Sequence, residues 1–226
     1  GLPEVKVGIF PGAGGTQRVP RMTDTQSALQ MLLQGQTLSA DKAKRMKLIE
    51  EIVETEDELV AKAKDMLRAG VPAVKPWDEK GFKLPSGPVY SPAGAQVWPA
   101  VASLYRKETF DNYPGARAIV KCVYEGLLVP MDTALKIEQR YFASVLQTTE
   151  AAMMIRSLFV SKQALEKGAR RPAGVGATNL KKIAVLGAGF MGAGIAYVSA
   201  RAGLEVVLLD RDQEAADKGK AHSAKL

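Results

Sequence analysis

The sequence is poor in the residues that build disulfides, metal centres and membrane spans. Its 226 residues include one cysteine, Cys122, and one histidine, His222. One cysteine excludes an internal disulfide and favours a reducing compartment, and the two residues are too few for a typical zinc site, so we expect no bound metal. No apolar run approaches the roughly 18 residues of a transmembrane helix, and no secretory signal pattern begins the sequence. Because an initiator methionine is also lacking, we expect Gly1 to lie inside a longer chain.

Aromatic residues are also few, which bears on the kind of partner the chain binds. They make up 6% of the residues, and the 31 basic residues are interspersed with 24 acidic ones for a net charge of +7. Nucleic-acid surfaces typically show a basic stripe with interleaved aromatic residues, and this sequence has none. We therefore expect no nucleic-acid partner; the positive charge suits phosphate-bearing cofactors or an ordinary solvated surface.

The first of three regions, residues 1–70, contains a glycine-rich run and helical patterns. It predicts a short extended stretch, a glycine loop and then amphipathic helices, of which the last ends at Gly70. Thr23 or Thr25 is the expected N-cap of the first long helix, and Ser39 is that of the next.

The middle region, residues 71–178, is first irregular and then helical. Residues 71–98 are rich in proline and glycine without helical periodicity, which predicts a loop or linker lying over the surface. From about residue 101 to residue 169 the pattern is helical. We expect these helices to pack on both the preceding and the following domain, and the alternative is a self-contained hairpin. Their expected apolar faces comprise Ile119, Val123 and Leu127 on one helix and Leu135, Tyr141, Phe142 and Leu146 on the next.

The third region, residues 179–226, opens with the pattern of a dinucleotide-binding loop. The apolar run "KKIAVLG" predicts a strand, "GAGFMG" places glycines in G-x-G-x-x-G spacing, a helix follows, and a second strand ends at Asp210. Gly187 makes the tight turn, Gly189 lets backbone amides approach a pyrophosphate, and Gly192 lets the helix lie close to the strand. The helix N-terminus then offers free amides to the phosphates.

Asp210 lies where a carboxylate accepts hydrogen bonds from the adenosine ribose. A negative charge there repels a 2′-phosphate, so the motif favours NAD over NADP, although the neighbouring Arg211 is a residue type that an NADP enzyme uses. The alternative is that the glycines only end a strand and Asp210 is a turn residue. His222 falls in the helix expected after the second strand and is predicted to face solvent.

These motifs carry a family resemblance. Residues 183–210 resemble the start of the nucleotide-binding domain of 3-hydroxyacyl-CoA dehydrogenases. "LPEVKVGIFPGAGGTQRVPRM" and the helices after it resemble the second half of the crotonase fold of enoyl-CoA hydratases and isomerases. Both signatures in this order resemble the multifunctional enzymes of fatty-acid β-oxidation. The implied fold class is α/β, with the C-terminal half of a crotonase-like domain in residues 1–70, a loop and helical linker in 71–178, and the first β-α-β unit of a Rossmann domain in 179–226.

The resemblance also implies which residues act. It makes Glu4 the carboxylate associated with the C2 proton of an enoyl-CoA, and the Gly12 amide a group that helps hold the attacking water. The implied NAD-binding residues are Gly187, Ala188, Gly189, Phe190, Met191, Gly192 and Asp210. Lys47 departs from the family, which commonly has glycine at that position. If this position closes the preceding helix in a left-handed conformation, Lys47 costs some stability.

The resemblance leaves three functions open. The first is a bifunctional enoyl-CoA hydratase and NAD-dependent (3S)-3-hydroxyacyl-CoA dehydrogenase, of which these residues span the junction. Alternatively, the hydratase half is a Δ3,Δ2-enoyl-CoA isomerase, or the chain is a catalytically silent NAD-binding scaffold. The implied partners are acyl-CoA substrates, NAD and a thiolase β subunit. The implied location is the bacterial cytoplasm, or else a mitochondrion or peroxisome. Because the family places further catalytic groups outside these residues, we expect the 226-residue chain to be inactive alone.

Overall fold

The chain folds into two compact units. A computed structural model describes residues 1–71, 73–176 and 178–225, so Pro72, Ala177 and Leu226 lie outside the described residues. The first unit comprises Gly1–Ala169 and the second Arg170–Leu226. The predicted functional boundaries, at residues 70 and 178, stay predictions.

The first unit is helical throughout its regular elements. It begins with a 3-10 helix, Pro3–Val7. The α-helices are α1 (Gly15–Met22), α2 (Thr25–Gln34), α3 (Ala40–Arg45), α4 (Glu56–Arg68), α5 (Pro92–Thr109), α6 (Pro114–Gly126), α7 (Met131–Leu146), α8 (Thr149–Met154) and α9 (Lys162–Glu166). A π-helical segment, Ile155–Ser161, joins the last two. A further 3-10 turn, Pro76–Asp78, lies before α5.

Polar residues cap several of these helices at their N-termini. The side chain of Ser39 accepts a hydrogen bond from the Lys42 amide, as predicted. The N-cap of α2 is Asp24, so the prediction of Thr23 or Thr25 was wrong. Aspartate satisfies a free amide at this position as well as threonine does, and its charge also suits the positive end of the helix dipole.

Two stretches differ from their predicted conformation. Residues 3–7, predicted to be extended, form the 3-10 helix because Pro3 fixes a helical φ and Gly8 ends the turn in a left-handed conformation, φ 87°. Apart from the 3-10 turn Pro76–Asp78, the described residues of the predicted linker 71–98 are irregular only as far as Ser91, whose side chain caps α5. Pro92 at the first position of a helix lacks only an amide that would have been unpaired, so proline there starts the helix rather than breaking it.

The core of the first unit joins its N-terminal helices to α6 and α7. Phe10 and Leu32 are fully buried together with Ile119 and Val123 of α6. The remaining buried members of this cluster are Leu29, Val101, Ala118, Cys122, Val145 and Ala151, and Leu127, Tyr141 and Phe142 pack against it partly buried. These helices therefore pack on the preceding segment and do not form a self-contained hairpin. Leu146 is an exception, since its side chain is exposed.

The second unit contains the predicted β-α-β unit. Strand β1 (Lys182–Leu186) is followed by α10 (Phe190–Arg201), strand β2 (Glu205–Leu209) and α11 (Gln213–Ser223). The strands are parallel, and Lys182 pairs with Glu205 and Leu186 with Leu209. Parallel strands joined by a helix are the starting unit of doubly wound nucleotide-binding sheets. Within the described ranges of the chain, no helix is both long enough and apolar enough to cross a membrane.

Candidate functional site

The turn between β1 and α10 has the geometry that its glycine spacing predicts. Gly187 adopts φ +96°, a conformation that residues with a side chain rarely adopt, and its amide donates to the Leu209 carbonyl at 2.7 Å. A Cβ on Gly192 would lie 1.6 Å from the Gly187 carbonyl oxygen, so only glycine permits this approach of helix to turn. A Cβ on Gly189 would meet nothing within 4 Å, which leaves the start of α10 open to a ligand.

Asp210 follows β2 and reaches across to this turn. Its Oδ2 accepts from the Ala188 amide at 2.5 Å, and its Oδ1 accepts from the Arg211 amide at 2.7 Å. The hydrogen bond from the Ala188 amide and then that from the Arg211 amide lower the pKa of the Asp210 carboxyl. The side chain is therefore an anion at neutral pH. Each carboxylate oxygen has a second lone pair, which leaves acceptor sites for ligand hydroxyls.

A cavity of about 440 Å³ lies beside this turn, within the size range of small-ligand sites. Its lining includes Ala188, Gly189 and Asp210 from the turn and Lys218 and His222 from α11. His222 is exposed, as predicted, and its ring centroid lies 6.1 Å from that of Phe190. Glycine loop, helix N-terminus, carboxylate and cavity are the parts that an adenine dinucleotide requires.

Phe190 and Met191 project from the start of α10. Their side chains are 86% and 76% exposed, so neither contributes to the interior of this unit. Their assignment to the cofactor, like that of the other predicted site residues of this unit, stays a prediction.

Glu4 lies on the 3-10 helix at the start of the first unit. Its Oε2 is buried, and it has no hydrogen-bond partner among the residues that the structure describes. A buried carboxylate oxygen without a partner is costly, because burial removes water and nothing replaces it. An oxygen in this position can accept a hydrogen bond from a bound water or ligand, and the role of Glu4 toward a substrate stays a prediction.

Gly12 lies in the loop before α1, beneath an aromatic ring. A Cβ on Gly12 would approach ring atoms of Phe142 to 2.5–2.7 Å, so any side chain here would displace that ring. Phe142 in turn packs edge-on against Phe10, with ring centroids 5.5 Å apart and planes at 76°. The Phe142 ring thus packs against the backbone at Gly12, and the role of Gly12 toward a water stays a prediction.

A buried polar network around α1 was missed from the sequence. Gln17 is fully buried, and its Nε2 donates to the Cys122 carbonyl at 2.8 Å. The Arg21 guanidinium donates to the carbonyl of Gly126, the last residue of α6, at 2.8 Å and to the Val129 carbonyl just after the helix at 3.1 Å. Burial lowers the pKa of Arg21, and the charge of Asp78 opposes that shift. Polar residues on a short helix look solvent-exposed in a sequence, and no local signal distinguishes buried ones.

The remaining residues do not suggest metal or thiol chemistry. In the parts of the chain that the structure describes, no three residues among His, Cys, Asp and Glu lie close enough to hold a metal ion. Cys122 is fully buried, and burial, followed by the charges of Glu138 and Glu125, raises its pKa to about 12. A thiol with that pKa is not a nucleophile at neutral pH.

Comparisons with known proteins find a different enzyme family at each end of the chain. Residues 1–73 match the family described as enoyl-CoA hydratase/isomerase, and residues 182–226 match 3-hydroxyacyl-CoA dehydrogenase, NAD binding domain. The chain is also similar to a fatty acid oxidation complex subunit alpha from Shewanella loihica, with 35% identity over 204 residues. That match covers 88% of this chain and 28% of the relative, so the chain spans less than a third of that protein's length.

Proposed function

We propose that this chain, which carries an enoyl-CoA hydratase/isomerase segment followed by the start of a 3-hydroxyacyl-CoA dehydrogenase NAD-binding domain, is part of a bifunctional enzyme of fatty-acid β-oxidation. The complete protein adds water to a 2-enoyl-CoA and then oxidises the (3S)-3-hydroxyacyl-CoA with NAD. The observation that carries this proposal is that one chain holds two features in the order of the matched families. The first is a buried carboxylate oxygen of Glu4 that has no hydrogen-bond partner among the described residues, and the second is the dinucleotide turn between the parallel strands. The functional segments are residues 1–70, 71–178 and 179–226.

Hydration requires a proton at C2, a hydroxyl at C3 and donors for the thioester oxygen as charge develops there. Glu4 supplies or takes the C2 proton through its unpartnered oxygen, and the Gly12 amide holds the water that adds to C3. A second carboxylate, outside these residues, takes the proton of that water. The buried position of Glu4 Oε2 supports this role, because a substrate or water is the donor that the atom lacks.

Oxidation requires a cofactor held with its phosphates at the start of α10. A bound NAD would take the hydride from C3 of the substrate, and the proton of the C3 hydroxyl would pass to a base outside these residues. The open face of Gly189 admits the pyrophosphate to the free amides of the helix, and Asp210 orients the ribose through its remaining lone pairs. Phe190, Met191 and the amides of the loop complete the cofactor contacts. The match to an NAD-binding family supports this choice of cofactor.

The complete protein acts in an assembly with a thiolase β subunit, in the cytoplasm of a bacterium. The relative's name describes it as the alpha subunit of a complex, and that relative is bacterial, which supports both statements. Co-purification from a strain producing both subunits tests the partner. If the α chain elutes alone at concentrations where a thiolase subunit is present, this part of the proposal is wrong.

Substitution of Glu4 tests the hydratase proposal in the complete protein. We expect Glu4→Gln to reduce hydration of crotonyl-CoA by about 10²- to 10⁴-fold, the usual contribution of a general acid or base. NAD-dependent oxidation of 3-hydroxybutyryl-CoA should stay unchanged. The matched control is Glu50→Gln, since Glu50 is an exposed carboxylate of the same domain.

Three outcomes separate the alternatives. Equal hydration by Glu4→Gln and Glu50→Gln would contradict the role of Glu4. Conversion of a 3-enoyl-CoA to the 2-enoyl isomer, without hydration, would establish an isomerase. Binding of NAD without either reaction in the complete protein would establish the silent scaffold.

A further inference from the structure

One buried carboxylate from α7 binds the loop that carries Gly12. Glu138 is 1% exposed, and its Oε1 accepts a hydrogen bond from the Gly14 amide at 2.5 Å. Its Oε2 accepts from the Thr16 amide at 3.0 Å and from the Thr16 hydroxyl at 2.5 Å. A residue more than 120 positions further along the chain thus takes three hydrogen bonds from one turn.

This carboxylate replaces a cap that the loop cannot supply for itself. The N-cap position of α1 is Gly14, which has no side chain and adopts φ +89°. Its amide and that of Thr16 are free donors at the start of the helix. Glu138 accepts from both of them, and its negative charge lies at the positive end of the helix dipole. Because a distant helix supplies the capping side chain, the loop itself can remain glycine-rich.

The same helix holds the loop at a second point. Phe142 lies four residues after Glu138, so both side chains project from one face of α7. The ring of Phe142 contacts the backbone at Gly12, and Leu135, from the preceding turn, lies against Gly14. The loop therefore rests on three side chains of α7, with the hydrogen bonds at one end and the ring at the other.

We infer that Glu138 is a positioning residue for the hydratase reaction, acting through the Gly12–Thr16 turn and not by contact with substrate. It fixes the turn at Gly14 and Thr16, while Phe142 supports the backbone at Gly12, so that the Gly12 amide keeps the direction in which it holds water. A misplacement of about 1 Å in a catalytic group costs up to roughly a hundredfold in rate. This inference rests on the proposed hydratase function.

The first test compares Glu138→Gln with Glu150→Gln in the complete protein. Glutamine has nearly the same size as glutamate, but it replaces one carboxylate oxygen with an NH₂ group. That group is a donor and cannot accept the hydrogen bond from the backbone amide that faces it. We expect kcat for crotonyl-CoA hydration to fall by about tenfold or more, with KM changed less than threefold. Glu150, exposed at the start of α8, provides the matched charge change and should leave both constants unchanged.

Oxidation of 3-hydroxybutyryl-CoA by the same protein is an internal control, and we expect it to change less than twofold. The melting temperature is measured for each variant, and assays are run well below it. A loss of kcat at a temperature where the protein is fully folded separates positioning from a contribution to stability alone.

Thr16 provides a second pair of variants in case Glu138→Gln folds poorly. Thr16→Val keeps the shape of the side chain but removes the hydroxyl that donates to Glu138 and accepts from Gln17 Nε2. Thr16→Ser keeps that hydroxyl. We expect hydration kcat to fall several-fold more in the valine variant than in the serine variant.

The inference is overturned if Glu138→Gln hydrates crotonyl-CoA with the kcat of Glu150→Gln. It is also overturned if KM accounts for the whole loss, or if Thr16→Val and Thr16→Ser are equally active. A wild-type protein that does not hydrate enoyl-CoA at all would overturn the proposed hydratase function and this inference together. Wild-type hydration with an inactive Glu4→Gln and an unaffected Glu138→Gln would overturn the inference alone.

Discussion

Replacing Lys47 with glycine should stabilise the end of α3. This helix ends in a Schellman motif: the Lys47 amide donates to the Lys44 carbonyl at 2.9 Å, and the Leu48 amide donates to the Ala43 carbonyl at 2.9 Å. The motif requires a left-handed conformation at the first residue after the helix cap, and Lys47, which occupies that position, adopts φ +59°. Lysine therefore occupies a backbone conformation that favours glycine.

The expected gain is the difference between two opposing terms. Holding a residue with a Cβ in the left-handed region costs about 1–2 kcal/mol, and glycine removes that cost. Glycine also gains conformational freedom in the unfolded chain, which offsets about 0.4–1 kcal/mol. The exposed Lys47 side chain forms no part of the core, so its loss adds little. We expect Lys47→Gly to stabilise the cap by about 0.5–1 kcal/mol.

Amide hydrogen exchange measures this effect where it occurs. Because 1.4 kcal/mol corresponds to a factor of ten, opening of the cap, followed at the Leu48 amide and corrected for intrinsic rates, should slow by about two- to fivefold. Lys47→Ala is the control, since alanine loses the charge and stem but retains Cβ. Equal protection in the glycine and alanine variants would refute the reasoning, and so would faster exchange in the glycine variant.

Three further predictions concern the cofactor, the α1 network and the thiol. In the complete protein, Asp210→Ala should weaken NAD by about tenfold to a hundredfold and reduce discrimination against NADP, measured by oxidation of 3-hydroxybutyryl-CoA with each cofactor; an unchanged cofactor preference would contradict the ribose assignment. Gly126→Ala should destabilise the first unit by about 1–3 kcal/mol, because the new Cβ would lie 1.9 Å from Oε1 of the buried Gln17; denaturant unfolding measures this, and wild-type stability would contradict it. Cys122, with its pKa raised to about 12, should resist alkylation at pH 8 until urea unfolds the chain; equal rates with and without urea would show that the thiol is accessible.

The sequence predicted the second unit well because its signals are local. A strand, a glycine turn, a helix and a second strand each depend on residues close in sequence, and the structure forms β1, α10 and β2 where the pattern places them. The positive φ of Gly187 and the close approach at Gly192 also follow from spacing alone. The family match confirms NAD as the cofactor of this segment.

The first unit was harder to predict because its decisive contacts join distant residues. Glu138 on a helix with an amphipathic pattern looks like a solvent-facing carboxylate, yet it binds amides of a loop about 120 residues earlier. The expected apolar face of α7 included Leu146, which is exposed, and omitted Val145, which is buried. A helical pattern fixes a face to within one residue only, and which neighbour is buried depends on the partner helix.

The shared core of the first unit determines where the chain can be cut. The hydratase match ends at residue 73, but Phe10 and Leu32 are covered by Ile119 and Val123, and the turn at Gly14 is closed by Glu138. A shortened version ending near residue 73 would expose this apolar surface to water and leave the amides of the turn without their acceptor. A version ending near residue 169 keeps the residues that cover this apolar surface and keeps Glu138 as the acceptor for the turn. The unit of sequence similarity is therefore smaller than the unit of folding, and a gene rearrangement that moved residues 1–73 alone would transfer an incomplete core.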